Sequence, residues 1–284
     1  MIRFATNNDI SSIISLWQEA FGDSAEEIKF FLDKKFKPEN TLVYEECGEI
    51  ASMLFLLEGE MCISGKDYPS YYLYAACTSQ KYRGRGIMSA LLKAAEKTAS
   101  NRNIRYICLL PAEDSLYDYY ARFGYRAVFS KRILTISVDE IAENTEFDFD
   151  TATVSDLEEL RESAFKDIDR FKWNNNDINF AFEHTEMYGG HRFVACNGYS
   201  LYSANEHKAH VKECAFTYKN LIKIAAFLIK KHGVNEVVFS LPFYPECPIG
   251  KTEIKNSGML LPIDYEAENL IHNIKNAYLG LTLD

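Results

Sequence analysis

Two glycines set between arginines, in the run Tyr82-Arg83-Gly84-Arg85-Gly86-Ile87-Met88, are the residues of this chain best suited to chemistry. An apolar, strand-like run, Tyr71 to Cys77, precedes them, and a clean helix pattern, Ala90 to Lys97, follows. A glycine-rich turn therefore joins a strand to the start of a helix. The first turn of a helix carries unpaired N–H groups and the positive end of the dipole. Gly84 and Gly86 let the backbone pass close to a ligand, and Arg83 and Arg85 add positive charge. Together these form a cradle for a phosphate or pyrophosphate. The run is not a P-loop, because no Gly-Lys-Ser/Thr follows. It is not the dinucleotide fingerprint, because Met88-Ser89 stand where the third glycine is needed. Taken alone, the run reads equally as a solvated turn.

A second feature lies further along. A buried-type strand, Ile104 to Leu110, ends at Leu110-Pro111, and Asp114-Ser115-Leu116-Tyr117-Asp118-Tyr119-Tyr120-Ala121-Arg122-Phe123-Gly124-Tyr125 follows. That is a short helix stopped by Gly124, then a strand. Strand, Arg-Gly-x-Gly loop, helix, strand and a Tyr-x-x-x-Gly-aromatic helix end resembles the GNAT (GCN5-related) N-acetyltransferase superfamily over roughly residues 1–135. Arg83-x-x-Gly86-x-Met88 is similar to that family's pyrophosphate loop except at its last place. The bulky Met88 resembles the branch typified by the enhanced intracellular survival acetyltransferases.

Composition sets compatible bounds. A chain of 284 residues suits two domains, here expected as 1–140, an acetyl-CoA-binding GNAT domain, and 141–284, a degenerate GNAT-like domain. The expected fold class is α/β (α+β), with tandem domains that each carry a mixed, mostly antiparallel sheet flanked by helices. No stretch approaches the ~18 uninterrupted apolar residues of a membrane span. Met1-Ile2-Arg3-Phe4 runs straight into a strand, so no signal peptide is expected. Seven cysteines, an odd number without a Cys-x-x-Cys pair, suggest buried thiols in a reducing cytoplasm. A net charge of −10, mostly after residue 140, argues against a nucleic-acid partner.

The pattern places a strand at Ile2–Ala5, a helix capped by Asn7 or Asn8 with Ile10, Ile13, Ile14, Trp17 and Phe21 inward, and a helix from Ala25 to Lys35. Strands are expected near 41–45, 50–57 and 71–77, a long helix near 85–99, strand 104–110, helix 114–123, and strands 125–129 and 132–138. Residues 140–150 read as a domain link. The second half repeats the start of the first: Phe147 to Thr153, then Ser155-Asp156-Leu157, resembles Ile2 to Thr6, then Asn8-Asp9-Ile10. Strands 191–196, 198–204 and 210–217 lead to helix 219–232, and strand 234–241 ends at Leu241-Pro242 as the earlier strand ends at Leu110-Pro111. Between strand and helix this half has only Thr217-Tyr218-Lys219-Asn220, without glycine, so no phosphate cradle is expected there.

Acetyl transfer from a thioester to an amine requires an oriented donor, a deprotonated amine, a stabilised oxyanion and a protonated leaving thiolate. The resemblance implies that the pantetheine arm of acetyl-CoA, the co-substrate, lies along Ala76, Cys77 and Thr78. It implies that the backbone of Arg83, Gly84, Arg85, Gly86, Ile87 and Met88 holds the pyrophosphate, with Ser115 as a further contact. Tyr120, four residues before Gly124, falls where the family places the acid that protonates the thiolate; a phenol is protonated at neutral pH. Every histidine lies at or after His184, so the first half has no imidazole, and no metal-ligand spacing is present, so no metal is expected. Candidate bases are Asp23, Glu26 and Glu27, each of which reads more readily as part of an exposed acidic helix start, and Asp284, because the resemblance to the enhanced intracellular survival enzymes implies a C-terminal carboxylate in the active site. The expected activity is N-acetylation of a primary amine on a small molecule or peptide, with a cationic acceptor favoured by the acidic second half. The alternatives are a non-enzymatic acyl-CoA-binding or regulatory protein and a tRNA-dependent aminoacyl transferase.

Overall fold

The computed structural model describes residues 1–142, 145, 156–243, 249–274 and 276–282. In chain order its elements are β1 (Ile2–Phe4), α1 (Ile10–Phe21), α2 (Ala25–Lys35), β2 (Thr41–Glu46), β3 (Glu49–Ile63), β4 (Lys66–Thr78), α3 (Ile87–Asn101), β5 (Tyr106–Leu109), α4 (Ser115–Ala121) and β6 (Arg126–Ser137). There follow α5 (Leu157–Ala164), β7 (Arg170–Lys172), α6 (Asn175–Met187), β8 (His191–Ala195), β9 (Gly198–Ala204), β10 (Lys208–Cys214), α7 (Leu221–His232), β11 (Glu236–Leu241), β12 (Lys251–Pro262) and α8 (Tyr265–Ile271). The fold is mixed α/β with mostly antiparallel pairing, as expected. No described helix is long and apolar enough to cross a membrane.

Two compact units divide the chain. The first comprises Met1–Glu60, Tyr68–Arg126 and Met259–Asn273; the second comprises Met61–Asp67, Ala127–Gly258 and Ile274–Asp284. The boundary expected after residue 140 falls inside the second unit, and each unit takes a segment from the far half of the sequence.

The first unit builds the strand order β1-β2-β3-β4-β5-β12. β4 and β5 are parallel, through Ser70↔Tyr106, Tyr71↔Ile107 and Tyr72↔Cys108, and α3 makes the crossover that parallel strands require. Its core gathers Leu54, Leu56, Leu73, Leu91, Leu92, Ile107, Tyr120, Tyr125, Met259 and Leu261. Local signals explain the helices. Ser24 and Glu27 form a capping box at the start of α2, and Lys34 and Lys35 sit in its last turn. Neither Asn7 nor Asn8 caps α1, whose N-cap is Asp9; a short helical turn, Asn7–Asp9, precedes it, and the N–H and hydroxyl of Thr6 before that turn donate to the Asp9 carboxylate at 2.7 and 2.9 Å. On α1 the buried residues are Ile13, Leu16 and Trp17, while Phe21, at the helix end beside Gly22, is exposed.

The second unit has the order β6-β11-β10-β9-β8. Here β10 and β11 are parallel, Lys208↔Glu236 to Val211↔Phe239, and α7 makes the crossover. β6 closes it antiparallel to β11, Arg132↔Leu241 to Ser137↔Glu236, just as the end of β12 closes the first unit antiparallel to β5, Met259↔Leu109 to Pro262↔Tyr106. The last strand of each pattern therefore comes from the other half of the sequence. The strands expected at 125–129 and 132–138 are one strand, β6, since Ser130-Lys131 contains no turn former. The described residues of the strand-like run from Ala277 make isolated bridges, Phe129↔Ala277 and Arg170↔Tyr278. The repeated start at Phe147 to Thr153 lies outside the described residues.

Candidate active site

The site begins where β4 leaves β5. Pairing reaches Tyr72↔Cys108, yet β4 continues to Thr78. Just past the last pair, Ala75 adopts φ +47, a left-handed conformation that costs a non-glycine residue about 1–2 kcal/mol. The strand turns there, and its edge from Leu73 onward no longer faces β5. Backbone N–H and C=O groups on such an edge accept an added extended chain. The end of β4 is fixed from the β3 side. The Ser52 hydroxyl donates to the Cys77 carbonyl at 2.7 Å and lies 2.9 Å from Thr78 Oγ1, and the Ser79 N–H donates to the Ala51 carbonyl at 2.9 Å. Cys77 itself is inert: burial, with the Glu19 carboxylate adding to it and Arg83 opposing, pushes its thiol up to about 12.

Beyond Thr78 a short helical turn, Gln80–Tyr82, leads into the glycines. Gly84 and Gly86 stand at φ +76 and +74, and a Cβ on either would meet no heavy atom within 4 Å. Both are glycine for backbone conformation, and the space over them is open. Gly86 is the N-cap of α3, and no side chain caps that helix start. At these positions the backbone forms a left-handed turn, an uncapped helix N-terminus and open space.

The two arginines are less available than their spacing suggests. Arg83 Nε donates to the Thr78 carbonyl at 3.0 Å, which ties it to the strand end. Arg85 Nη2 pairs with Glu46 at 2.7 Å and lies over the Tyr82 ring. Lys81 pairs with Glu49, which also accepts from the Tyr82 hydroxyl at 3.0 Å. Carboxylates of the β2–β3 hairpin thus hold Arg85 and Lys81.

Ile87 is buried in the first turn of α3, and Met88 packs at the margin of the core that contains Tyr120, as does Ala76. Ala76, Met88 and Tyr120, far apart in sequence, thus share one cluster. Tyr120 lies on α4 with its ring edge-on to Tyr119 and Tyr125, at 5.3 and 5.7 Å. Burial pushes its phenol up to about 12, so it keeps its proton well past neutrality. Gly124, which ends this helical segment, has φ +89, and its Cβ position is 3.1 Å from Leu261. Ser115 is exposed at the start of α4, its hydroxyl donating to Glu113 at 3.3 Å. Asp284 lies outside the described residues.

Two of the candidate bases have other partners. Asp23 accepts the Trp17 indole N–H at 2.8 Å, and Glu27 closes the α2 capping box. Sequence reasoning missed Glu19. Trp17 of α1 and Phe31 of α2 pack on Tyr74 of β4, with ring centroids 5.7 and 5.1 Å away. That packing brings the exposed Glu19 of α1 to the end of β4, where it accepts the Gln80 N–H at 2.6 Å. The missed Ser52 did leave a trace, a hydroxyl within the apolar run Ala51-Ser52-Met53-Leu54.

Comparisons with known proteins agree with this geometry. Residues 1–128 match the family model described as acetyltransferase (GNAT) domain. Residues 1–128 thus carry the GNAT acetyltransferase domain that the model describes. Among solved structures, a conserved protein of Enterococcus faecalis V583 described as a probable N-acyltransferase is similar over 94% of this chain and 73% of its own, at 13% identity and TM-score 0.76. A GCN5-related N-acetyltransferase from Anabaena variabilis aligns over 93% of this chain and 73% of its own, at 14% identity and TM-score 0.76. Eis1 from Mycobacterium abscessus aligns over 94% and 75%, at 15% identity and TM-score 0.71. At such identities the likeness is one of fold. No curated protein sequence matches the chain.

Proposed function

We propose that the protein transfers the acetyl group of acetyl-CoA to the primary amine of a small molecule or peptide, with a cationic acceptor favoured. One observation carries this reading. The edge of β4 freed at Ala75 runs directly into the open, left-handed glycine turn and the uncapped N-terminus of α3. That combination fits a ligand with an extended, amide-bearing arm and a pyrophosphate. Acetyl-CoA supplies the acyl thioester when bound. The N–H groups from Gly84 to Met88 then donate to phosphate oxygens, while Ala76, Cys77 and Thr78 offer backbone to the arm.

Tyr120 serves as the acid for the leaving sulfur. Its raised pKa keeps the phenol protonated, and its neighbours fix the ring. Glu19 serves as the base on the acceptor side, its carboxylate held by the Gln80 N–H and available to a proton from an ammonium group. The acidic second half attracts cationic acceptors over distance.

The second half, 141–284, reads as a degenerate GNAT-like domain. Its β10–α7–β11 crossover supports this, and Thr217 and Asn220, both at negative φ, stand where the first unit has glycines. A cytoplasmic location is in keeping with the free thiols of Cys62, Cys77, Cys108 and Cys214. The test is thioester consumption by the full chain across a panel of primary amines, with CoA affinity measured in parallel by calorimetry. Turnover with a subset of amines supports the proposal. CoA binding without turnover on any amine would leave a non-enzymatic binding protein, and no CoA binding would overturn the reading altogether.

A further inference from the structure

Among the described residues of the second unit, one buried cation has no counter-charge. Arg132 lies on β6 opposite Leu241, the last residue of β11. Alternation along β6 puts it on the same face as Leu134 and Ile136, which pack with Leu221, Ile224 and Leu241 around α7. Arg132 is only 7% exposed, and its Nε and Nη1 make no hydrogen bond. Among the described residues no carboxylate pairs with it, and its guanidinium lies 5.1 Å from the centre of the Phe243 ring.

The other buried arginines of this unit are treated differently. Arg161 donates to both oxygens of Glu213 and to the Phe171 carbonyl. Arg170 pairs with Glu162 and donates to the Phe165 and Ile168 carbonyls. A guanidinium cannot escape burial by losing its proton, and an unpaired buried charge is far costlier than a paired one. The cost at Arg132 is removed if its counter-charge arrives from solution.

We propose that Arg132 anchors an oxyanion-binding site in the second unit, which takes one carboxylate or phosphate group of a small ligand through paired N–H···O bonds. Its place in the fold supports this. The Leu241 end of β11 is the end of the parallel pair at which α7 begins, and no side chain caps α7. The helix dipole there has the sign of the guanidinium. Phe243, stacked on Arg132, is 41% exposed, so the site opens to solvent on that side. The glycine turn holds the corresponding place in β4–α3–β5; here the positive charge comes from a side chain carried in by β6. The proposal does not depend on acetyl transfer by the first unit.

The test uses the full chain, titrated with inorganic phosphate and separately with malonate at ionic strength held constant with chloride, and followed by thermal unfolding. Wild type and Gly86→Glu should both show a saturable rise in Tm, with the larger rise telling whether phosphate or carboxylate is preferred. Arg132→Met should lose the rise, yet without anion it should unfold no earlier than wild type, because the unpaired charge is gone. Arg132→Lys, which keeps the charge and lacks the fork, should bind more weakly. The proposal is overturned if wild type shows no rise beyond chloride. It is equally overturned if Arg132→Met rises as wild type does, or if the rise disappears in Gly86→Glu, which would assign the anion to the α3 cradle.

Discussion

Replacing Gly86 by alanine separates backbone strain from ligand contact, because the chain contains its own control. Gly86 has φ +74 and Gly65, in the β3–β4 turn, has φ +76, and a Cβ at either position meets no heavy atom within 4 Å. Forcing alanine into the left-handed region costs about 1–2 kcal/mol. With no clash to add, Gly86→Ala and Gly65→Ala should lose the same stability, a fall in Tm of roughly 2–8 °C for a chain of this size. They should differ in CoA binding. At Gly86 the new methyl stands beside the first N–H groups of α3, where phosphate oxygens must approach. Losing one charge-assisted hydrogen bond is worth about 1.5–3 kcal/mol, or roughly a 10- to 150-fold rise in Kd. Calorimetric titration with CoA at 25 °C, beside melting curves, reads both quantities. Equal losses of stability with unchanged CoA affinity in Gly86→Ala would show that the open space over the turn is not the ligand's. Weakened CoA binding in Gly65→Ala would show that strain, not contact, governs affinity.

Tyr120→Phe should lower single-turnover acetyl transfer by about 10²–10⁴-fold with little change in CoA affinity. Because burial raises the phenol to about 12, the wild-type rate should show no alkaline fall from this group up to pH ~10, whereas an unshifted tyrosine would begin to lose its proton there. Glu19→Gln keeps an acceptor for the Gln80 N–H but no base, so kcat/KM for the amine should drop by about 10²–10⁴-fold; an unchanged kcat/KM would remove Glu19 from the chemistry. Glu213→Gln leaves Arg161 buried without its charge partner, both being 0% exposed, and urea unfolding should register a loss of about 3–5 kcal/mol while CoA affinity stays unchanged.

How much of this was legible in the sequence depended on how local the signal was. Helix α2 was read to its observed ends, since Ser24-Ala25-Glu26-Glu27 is a capping box and the apolar spacing stops at Lys35. The glycine turn before α3 was legible because strand, turn and helix are contiguous, and glycine is the residue for which positive φ is cheap. Helix α6 was missed despite its Asn174 cap, because Ile178, Phe180, Ala181 and Phe182 are all buried and trace no single stripe. Strand exchange was illegible in principle: alternation marks Leu134 and Ile136 as inward but does not name β11 as their partner. The roles of Glu19 and Arg132 are of the same kind. Glu19 meets Gln80 across the sequence through the packing of α1 on β4, and Arg132 reads as an ordinary strand residue until β11 and α7 cover it.

The two crossovers show where the chain concentrates conformational cost. Between Tyr74 and Ile87 the first unit holds one non-glycine residue, Ala75, and two glycines, Gly84 and Gly86, at positive φ. Each raises the free energy of the folded chain or the entropy lost on folding. Neither glycine is required for space, since no atom lies near its missing Cβ. The corresponding stretch of the second unit, from Cys214 to Leu221, has no residue at positive φ and joins strand to helix without that cost. A turn of negative-φ residues is therefore sufficient to connect β10 to α7, and by the same geometry it would suffice to connect β4 to α3. The strain in the first unit is explained by what it exposes: a strand edge turned from its neighbour and a helix start stripped of side chains. In the second unit, which lacks that backbone arrangement, the positive charge at the corresponding strand ends is the Arg132 side chain, opposite Leu241, and it needs no strained turn to present it.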